Sequence, residues 1–260
     1  MRRLALLILF ASWTTPAVAD DAICPDRPLK GTASCTVPAG HFQLELDALD
    51  WTHDHSDGIT SDQLVIASPT IKYGLGASTD IEATVVPFMR QVTRNGAARE
   101  AVSGVGDTQL RLKQRLTPAD AKVGIALVPW VKLPTARAAL GNGKWEEGLI
   151  LPIDVSLPGK IQFNLSPEVD RLANAAGSGF HAQYSAAAAL TLPFGGKWSV
   201  GGELWAADDR DPAGVSHQAS ADAALTFAPV KSTQFDAEVD VGLNHQTPAL
   251  ELIVGYSRRF

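Results

Sequence analysis

Cysteine is scarce in this chain: Cys24 and Cys35 are the only two in 260 residues. They form no Cys-x-x-Cys pair and nothing beside them would lower a thiol pKa, which argues against a redox centre. In an oxidising compartment two thiols this close in sequence read as a disulfide stapling an N-terminal segment, residues 20–39. A basic surplus is also missing. The formal charge is −6; discounting Arg2 and Arg3 leaves 20 basic against 28 acidic residues, or −8, a balance that repels nucleic acid. Past the first 20 residues no apolar run approaches the roughly 20 residues that a membrane-spanning helix needs, which excludes a helical membrane protein. The opening itself, MRRLALLILFASWTTPAVAD, has two arginines, an apolar run from Leu4 to Trp13 and the small residues Ala17-Val18-Ala19. That is the layout of a secretory signal peptide, so residues 1–19 are set aside as a cleaved leader.

What the chain has in abundance is alternation of apolar and polar residues with period two. Phe42, Leu44, Leu46 and Ala48 are interleaved with Gln43, Glu45 and Asp47. Ile161, Phe163, Leu165, Pro167 and Val169 oppose Gln162, Asn164, Ser166, Glu168 and Asp170; Phe235 to Leu243 and Leu250 to Phe260 repeat the pattern. Residues 40–260 hold about 12 such segments, most of them near the 9 to 11 residues of a tilted membrane strand rather than the five or six of globular strands. Connections after even-numbered segments are short and turn-like: Gly74 to Ser78, Thr117 to Asp120, Pro158-Gly159, Phe194 to Gly196 and Pro229-Val230. After most odd ones they are longer and polar: His53 to Ser61, Thr93 to Ser103, Thr135 to Glu147, Ala173 to Gly179 and Asp208 to Ala213. The expected fold is therefore all-β, an antiparallel transmembrane β-barrel of about 12 strands with short periplasmic turns and longer extracellular loops. A secreted two-sheet sandwich is the alternative. Proline at Pro69, Pro87, Pro129, Pro152 and Pro167 would disturb the local ladder in either fold.

If the aliphatic faces meet lipid, the other faces line a lumen. A basic wall would comprise Arg90, Arg111, Lys113, Arg115, Lys122 and Lys132, and an acidic wall Glu45, Asp47, Asp236, Glu238, Asp240 and Glu251, with Glu82 and Asp107 breaking the pattern. Such walls either select what permeates or meet across a small lumen and fill it. Trp130 and Trp205 also fall on inward faces. In Trp51-Thr-His53-Asp-His55-Ser-Asp57, two imidazoles stand among carboxylates, but the spacing fits no specific metal signature and a polar loop is the plainer reading. No Gly-x-Ser-x-Gly elbow is present, and Ser216 and His217, being adjacent, would point to opposite faces of a strand. Neither a catalytic site nor a cofactor is expected, and a lipid-modifying hydrolase is the weakest of the functional alternatives.

The stretch Gly104-x-Gly106-Asp107-x-x-Leu110-x-x-Lys113-x-x-Leu116 resembles the central motif of an outer-membrane family labelled for the meta-pathway of phenol degradation, with the similarity extending to Leu133-Pro134-Thr135, to Gly141-x-Gly143 and to the C-terminal Phe260. Ala136 stands where the family usually has glycine. The resemblance implies a barrel in the outer membrane of a Gram-negative bacterium that passes small, aromatic or hydrophobic molecules; it implies no catalytic residue. Expected partners are the lipid and lipopolysaccharide around the barrel, the barrel-assembly machinery through Phe260, and a small-molecule solute. A structural or surface-interaction barrel with a plugged lumen is the competing reading.

Overall fold

The structure, a computed structural model, describes residues 23–56 and 58–260. The leader expected at 1–19 lies outside the described residues. Fifteen strands make one antiparallel sheet: β1 Phe42–Ser56, β2 Ile59–Gly74, β3 Thr79–Thr84, β4 Phe88–Asn95, β5 Ala98–Gly104, β6 Thr108–Arg115, β7 Val123–Leu133, β8 Glu146–Ile150, β9 Ile153–Ser156, β10 Gln162–Ala173, β11 Phe180–Phe194, β12 Trp198–Asp211, β13 Gly214–Val230, β14 Thr233–Gly242 and β15 Leu250–Arg259. The first strand pairs with both β2 and β15, so the sheet closes on itself. β3 with β4, β5 with β6, and β8 with β9 are halves of single staves, because each pair lies along the same neighbours. The result is a closed barrel of 12 strands.

The interrupted staves lie beside the prolines. Val85 to Pro87 separates β3 from β4 opposite Pro69, whose carbonyl accepts from the Val85 N–H at 3.1 Å. Pro152 separates β8 from β9, and the Leu151 N–H donates to the Pro167 carbonyl at 2.9 Å. Proline removes a ladder donor, so the chain bulges and neighbouring groups close the gap. At Val85 to Pro87 the bulge also shifts the side-chain alternation by one residue. Glu82 and Thr84 face inward on β3, while Gln91 faces inward on β4. Gly106 sits in the matching break between β5 and β6, where its N–H reaches the Val86 carbonyl at 2.8 Å; a Cβ there would lie 2.8 Å from the Val86 side chain, so only glycine fits.

The distribution of polarity is that of a membrane barrel and not of a sandwich. Leu110, Leu112, Val200, Leu204, Leu225, Val241 and Val254 are exposed on the outside, whereas Lys72, Lys113, Glu82, Asp80 and Ser257 are among the most buried side chains. Aromatic pairs mark the short-turn end: Phe42 with Tyr73 and Trp198 with Phe227, each at 4.5 Å between centroids, and Phe235 with Tyr256 at 5.1 Å. They form a girdle at one interface. Several long connections expected from the sequence are instead strand. His53 to Ser56 continues β1, Thr93 to Ser103 is mostly the β4–β5 hairpin turning at Gly96, and Asp208 to Asp211 continues β12. Those strands carry polar residues because they rise out of the bilayer, which a composition-based reading takes for loop.

Candidate functional site

The lumen is occupied by the chain's own N-terminal segment. Its first described residue lies at the periplasmic rim, where the Ile23 N–H donates to the Lys231 carbonyl at 2.9 Å, and the segment returns to that rim, where the Val37 N–H donates to Asp80 at 2.6 Å and Gly40 to the Gly74 carbonyl at 2.9 Å. Between these points the chain makes a loop inside the barrel, and the Cys24–Cys35 disulfide, with Cα atoms 5.8 Å apart, closes its neck.

The loop carries charges opposite to those of the wall it meets. Asp26 lies between Lys72 on β2 and Lys113 on β6, each ammonium 2.5 Å from a carboxylate oxygen. Both lysines are buried, Lys113 at 0% exposure, and each also faces Glu82. Burial pushes the Asp26 carboxyl up, but the charges of Lys113 and Lys72 outweigh it and hold the group well below the usual carboxylate range. Arg27 bridges Asp47 on β1 and Asp236 on β14, and Lys30 pairs with Asp240 while facing Asp222 and Glu251 at 3.7 Å. Burial lowers both cations, yet their carboxylate partners raise them further, so both stay charged. Loop amides are satisfied in the same way: Leu29 N–H donates to Glu238 at 3.0 Å, and Lys30 and Gly31 donate to Glu203 at 2.9 and 3.0 Å. What remains of the lumen is divided. A cavity of about 560 Å³ opens beside Pro25, Cys35 and Arg115, and one of about 200 Å³ lies mid-barrel against Arg27, Lys72 and Arg111. Toward the outside are cavities of about 340 Å³ by Thr52, Gln63 and Gln91, and about 220 Å³ by Lys30, Trp205 and Glu251.

The motif around Gly104 pins the longest extracellular loop. Asp107 accepts from the Ala136 N–H at 2.8 Å and stands 3.4 Å from Lys132; the Thr108 N–H donates to the Thr135 hydroxyl at 2.9 Å, and Arg137 N–H to the Val105 carbonyl at 2.9 Å. Lys132 also pairs with Glu146 at 2.6 Å. Lys113 holds the plug, and Leu110 and Leu116 are exposed on the outside.

Of the basic residues read as one wall, Lys113, Arg111 and Arg115 line the lumen or its cavities, and Lys132 faces the motif's Asp107. Arg90 does not belong with them. It stands opposite Leu64, beside exposed Phe88, on the outer surface, because the bulge at Val85 to Pro87 reversed the alternation. Lys122 is exposed in the turn before β7. Glu45, Asp47, Asp236, Glu238, Asp240 and Glu251 all face the lumen, where the loop meets the first five directly and Lys30 faces the last. Trp130 donates to Glu168 at 2.7 Å. The histidine-rich stretch does not converge. His53 pairs with Asp62 at 2.8 Å and His55 with the Thr60 hydroxyl at 3.0 Å, while Asp54 lines the lumen; Asp57 lies outside the described residues. Among the described residues no three His, Cys, Asp or Glu side chains gather as a metal site. His217 reaches Asp208 at 3.3 Å. Sequence reasoning missed Asp26, Arg27, Lys30 and Lys72, although three charged residues between two cysteines, opposite in sign to the facing walls, were a usable signal.

The family described as "Putative MetA-pathway of phenol degradation" matches residues 25–260, the plug included. The chain belongs to this family. No curated relative matches it. The COG4313 outer membrane channel from Pseudomonas putida F1 is similar over 90% of this chain and 100% of that one, at 14% identity and a TM-score of 0.68. The translocator domain of the autotransporter NalP from Neisseria meningitidis covers 86% and 90% at 15% identity and TM-score 0.53, and the CymD monoaromatic hydrocarbon channel 86% and 89% at 11% and 0.50. At these identities the likeness is one of fold, that of outer-membrane barrels.

Proposed function

We propose that the protein is an outer-membrane channel through which small molecules diffuse passively, with the loop between Cys24 and Cys35 as its constriction. The observation that carries this reading is the row of lumenal cavities on both sides of a loop held by side-chain charges rather than by ladder hydrogen bonds. Such a loop can shift without opening the barrel wall. Small aromatic or hydrophobic solutes are the class proposed, on the strength of the family's name, the monoaromatic hydrocarbon channel among the similar folds, and Trp205 at the cavity above Lys30. The pairing of Asp26 with two buried lysines favours a second reading, a permanently closed structural barrel. Liposomes containing the mature protein separate the two: a channel admits small aromatic acids and alcohols faster than control liposomes do. Permeability equal to protein-free liposomes for every solute would leave the structural reading.

A further inference from the structure

Rows of outward side chains on β1, β2, β4 and β5 pass from apolar to basic along the strands. Leu49, Ile66 and Phe88 form an exposed apolar row. One outward position further from the periplasm come Trp51, Leu64 and Arg90, then His53, Asp62 and Val92, then His55, Thr60, Arg94 and Arg99. Each step is two residues, roughly 7 Å along a strand, so Arg90 stands one step and Arg94 three steps beyond the apolar row, on the side of the long loops. The opposite faces of the same strands line the outer lumenal cavity through Thr52, Ser61, Gln63 and Gln91, which fixes the cluster on the outside.

This cluster differs from the other outward arginines of the same end. Arg171 is matched by Glu147 and lies 3.5 Å over the Phe180 ring, and Arg210 is matched by Asp208 and lies over Tyr184. In the cluster only Arg94 has an acid, Asp62, which it shares with His53. Among the described residues Arg90 and Arg99 have no ion pair, and Arg94 and Arg99 stand directly opposite each other, an arrangement of like charges that is unfavourable until an anion joins it.

We propose that this outer face of the β4–β5 hairpin binds the phosphate groups of lipopolysaccharide in the outer leaflet. The proposal rests on the barrel's orientation, long loops outward, and not on what passes through the lumen. A phosphorylated glycolipid meets both halves of the surface: acyl chains lie against Leu49, Ile66 and Phe88, and phosphates against Arg90, Arg94 and Arg99, whose planar guanidinium groups suit bidentate phosphate contacts. A second copy of this chain fits less well, since the outward acids Glu147 and Asp208 are already engaged by Arg171 and Arg210.

The test uses the mature protein folded in detergent and titrated with bisphosphorylated lipid A, with lipid A stripped of phosphate, and with phosphatidylglycerol. Arg90→Gln/Arg99→Gln is expected to weaken bisphosphorylated lipid A by about thirtyfold, with retained heat-modifiable migration on gels reporting an intact barrel. Arg171→Gln/Arg210→Gln should leave that affinity within twofold of the parent, allowing about 0.4 kcal/mol of indirect effect. Equal binding by parent and Arg90/Arg99 variant, equal binding of stripped lipid A, or equally tight phosphatidylglycerol binding would each overturn the proposal, the last pointing to any anionic lipid.

Discussion

Arg27→Ala is the sharpest perturbation of the plug. The guanidinium joins two distant staves, Asp47 on β1 and Asp236 on β14, and the Asp236 side chain has 0% exposure. Removing the cation strands a buried carboxylate, which costs about 3 to 5 kcal/mol in protein interiors; access of lumenal water argues for the lower end. About 3 kcal/mol is roughly a 150-fold shift in the docking equilibrium. The loop amides report it, because Leu29, Lys30 and Gly31 N–H are protected by Glu238 and Glu203. Hydrogen exchange over residues 26–34 should accelerate by about that factor when opening precedes exchange, while the strands keep their protection. Two further variants constrain the cause. Gly255→Ala places a Cβ against the Arg27 guanidinium, so it should loosen the loop with no change of charge. Asp236→Asn added to Arg27→Ala should recover part of the loss, because the stranded charge is gone. Unchanged loop exchange in both Arg27→Ala and Gly255→Ala would refute the reasoning.

Replacing both cysteines with serine frees the neck of the loop; by chain entropy that costs about 3 kcal/mol of docking, read as faster loop exchange with barrel unfolding unchanged. Asp26 sets a pH limit: its carboxyl is depressed in the folded state, so its contribution is complete above the ordinary value of 3.8 and is lost as pH falls below it. Loop exchange corrected for intrinsic rates should therefore accelerate as pH falls below that value. Arg111→Glu, beside the central cavity, should shift ion selectivity toward cations, measured as a reversal potential in a salt gradient. Leu112→Arg should destabilise the barrel in lipid by about 2 to 4 kcal/mol if it meets mid-bilayer, measured by urea unfolding in vesicles.

The barrel was legible because period-two alternation survives without any detail of packing: Leu110 and Leu112 outside with Arg111 and Lys113 inside follows from spacing alone. Where the chain bulges, spacing fails. Continuing the alternation of β3 through Pro87 points Arg90 into the lumen, and one extra residue turns it outside. Loop ends are hard to read for another reason, since strands that leave the bilayer lose their apolar face while keeping their ladder, as at His53 to Ser56. The plug was least legible. Residues 24–35 have no period, and their role comes from pairs such as Arg27 with Asp236 and Lys30 with Asp240, which only the closed fold brings together.

The central claim is that the N-terminal loop limits passage through the barrel. Single-channel conductance of residues 20–260 and of a variant of them lacking residues 24–39, compared in the same planar bilayers, tests it most directly. The account predicts small conductance for the parent and a severalfold larger, stable conductance for the deletion, with both proteins folded. Equal conductance in the two would contradict it.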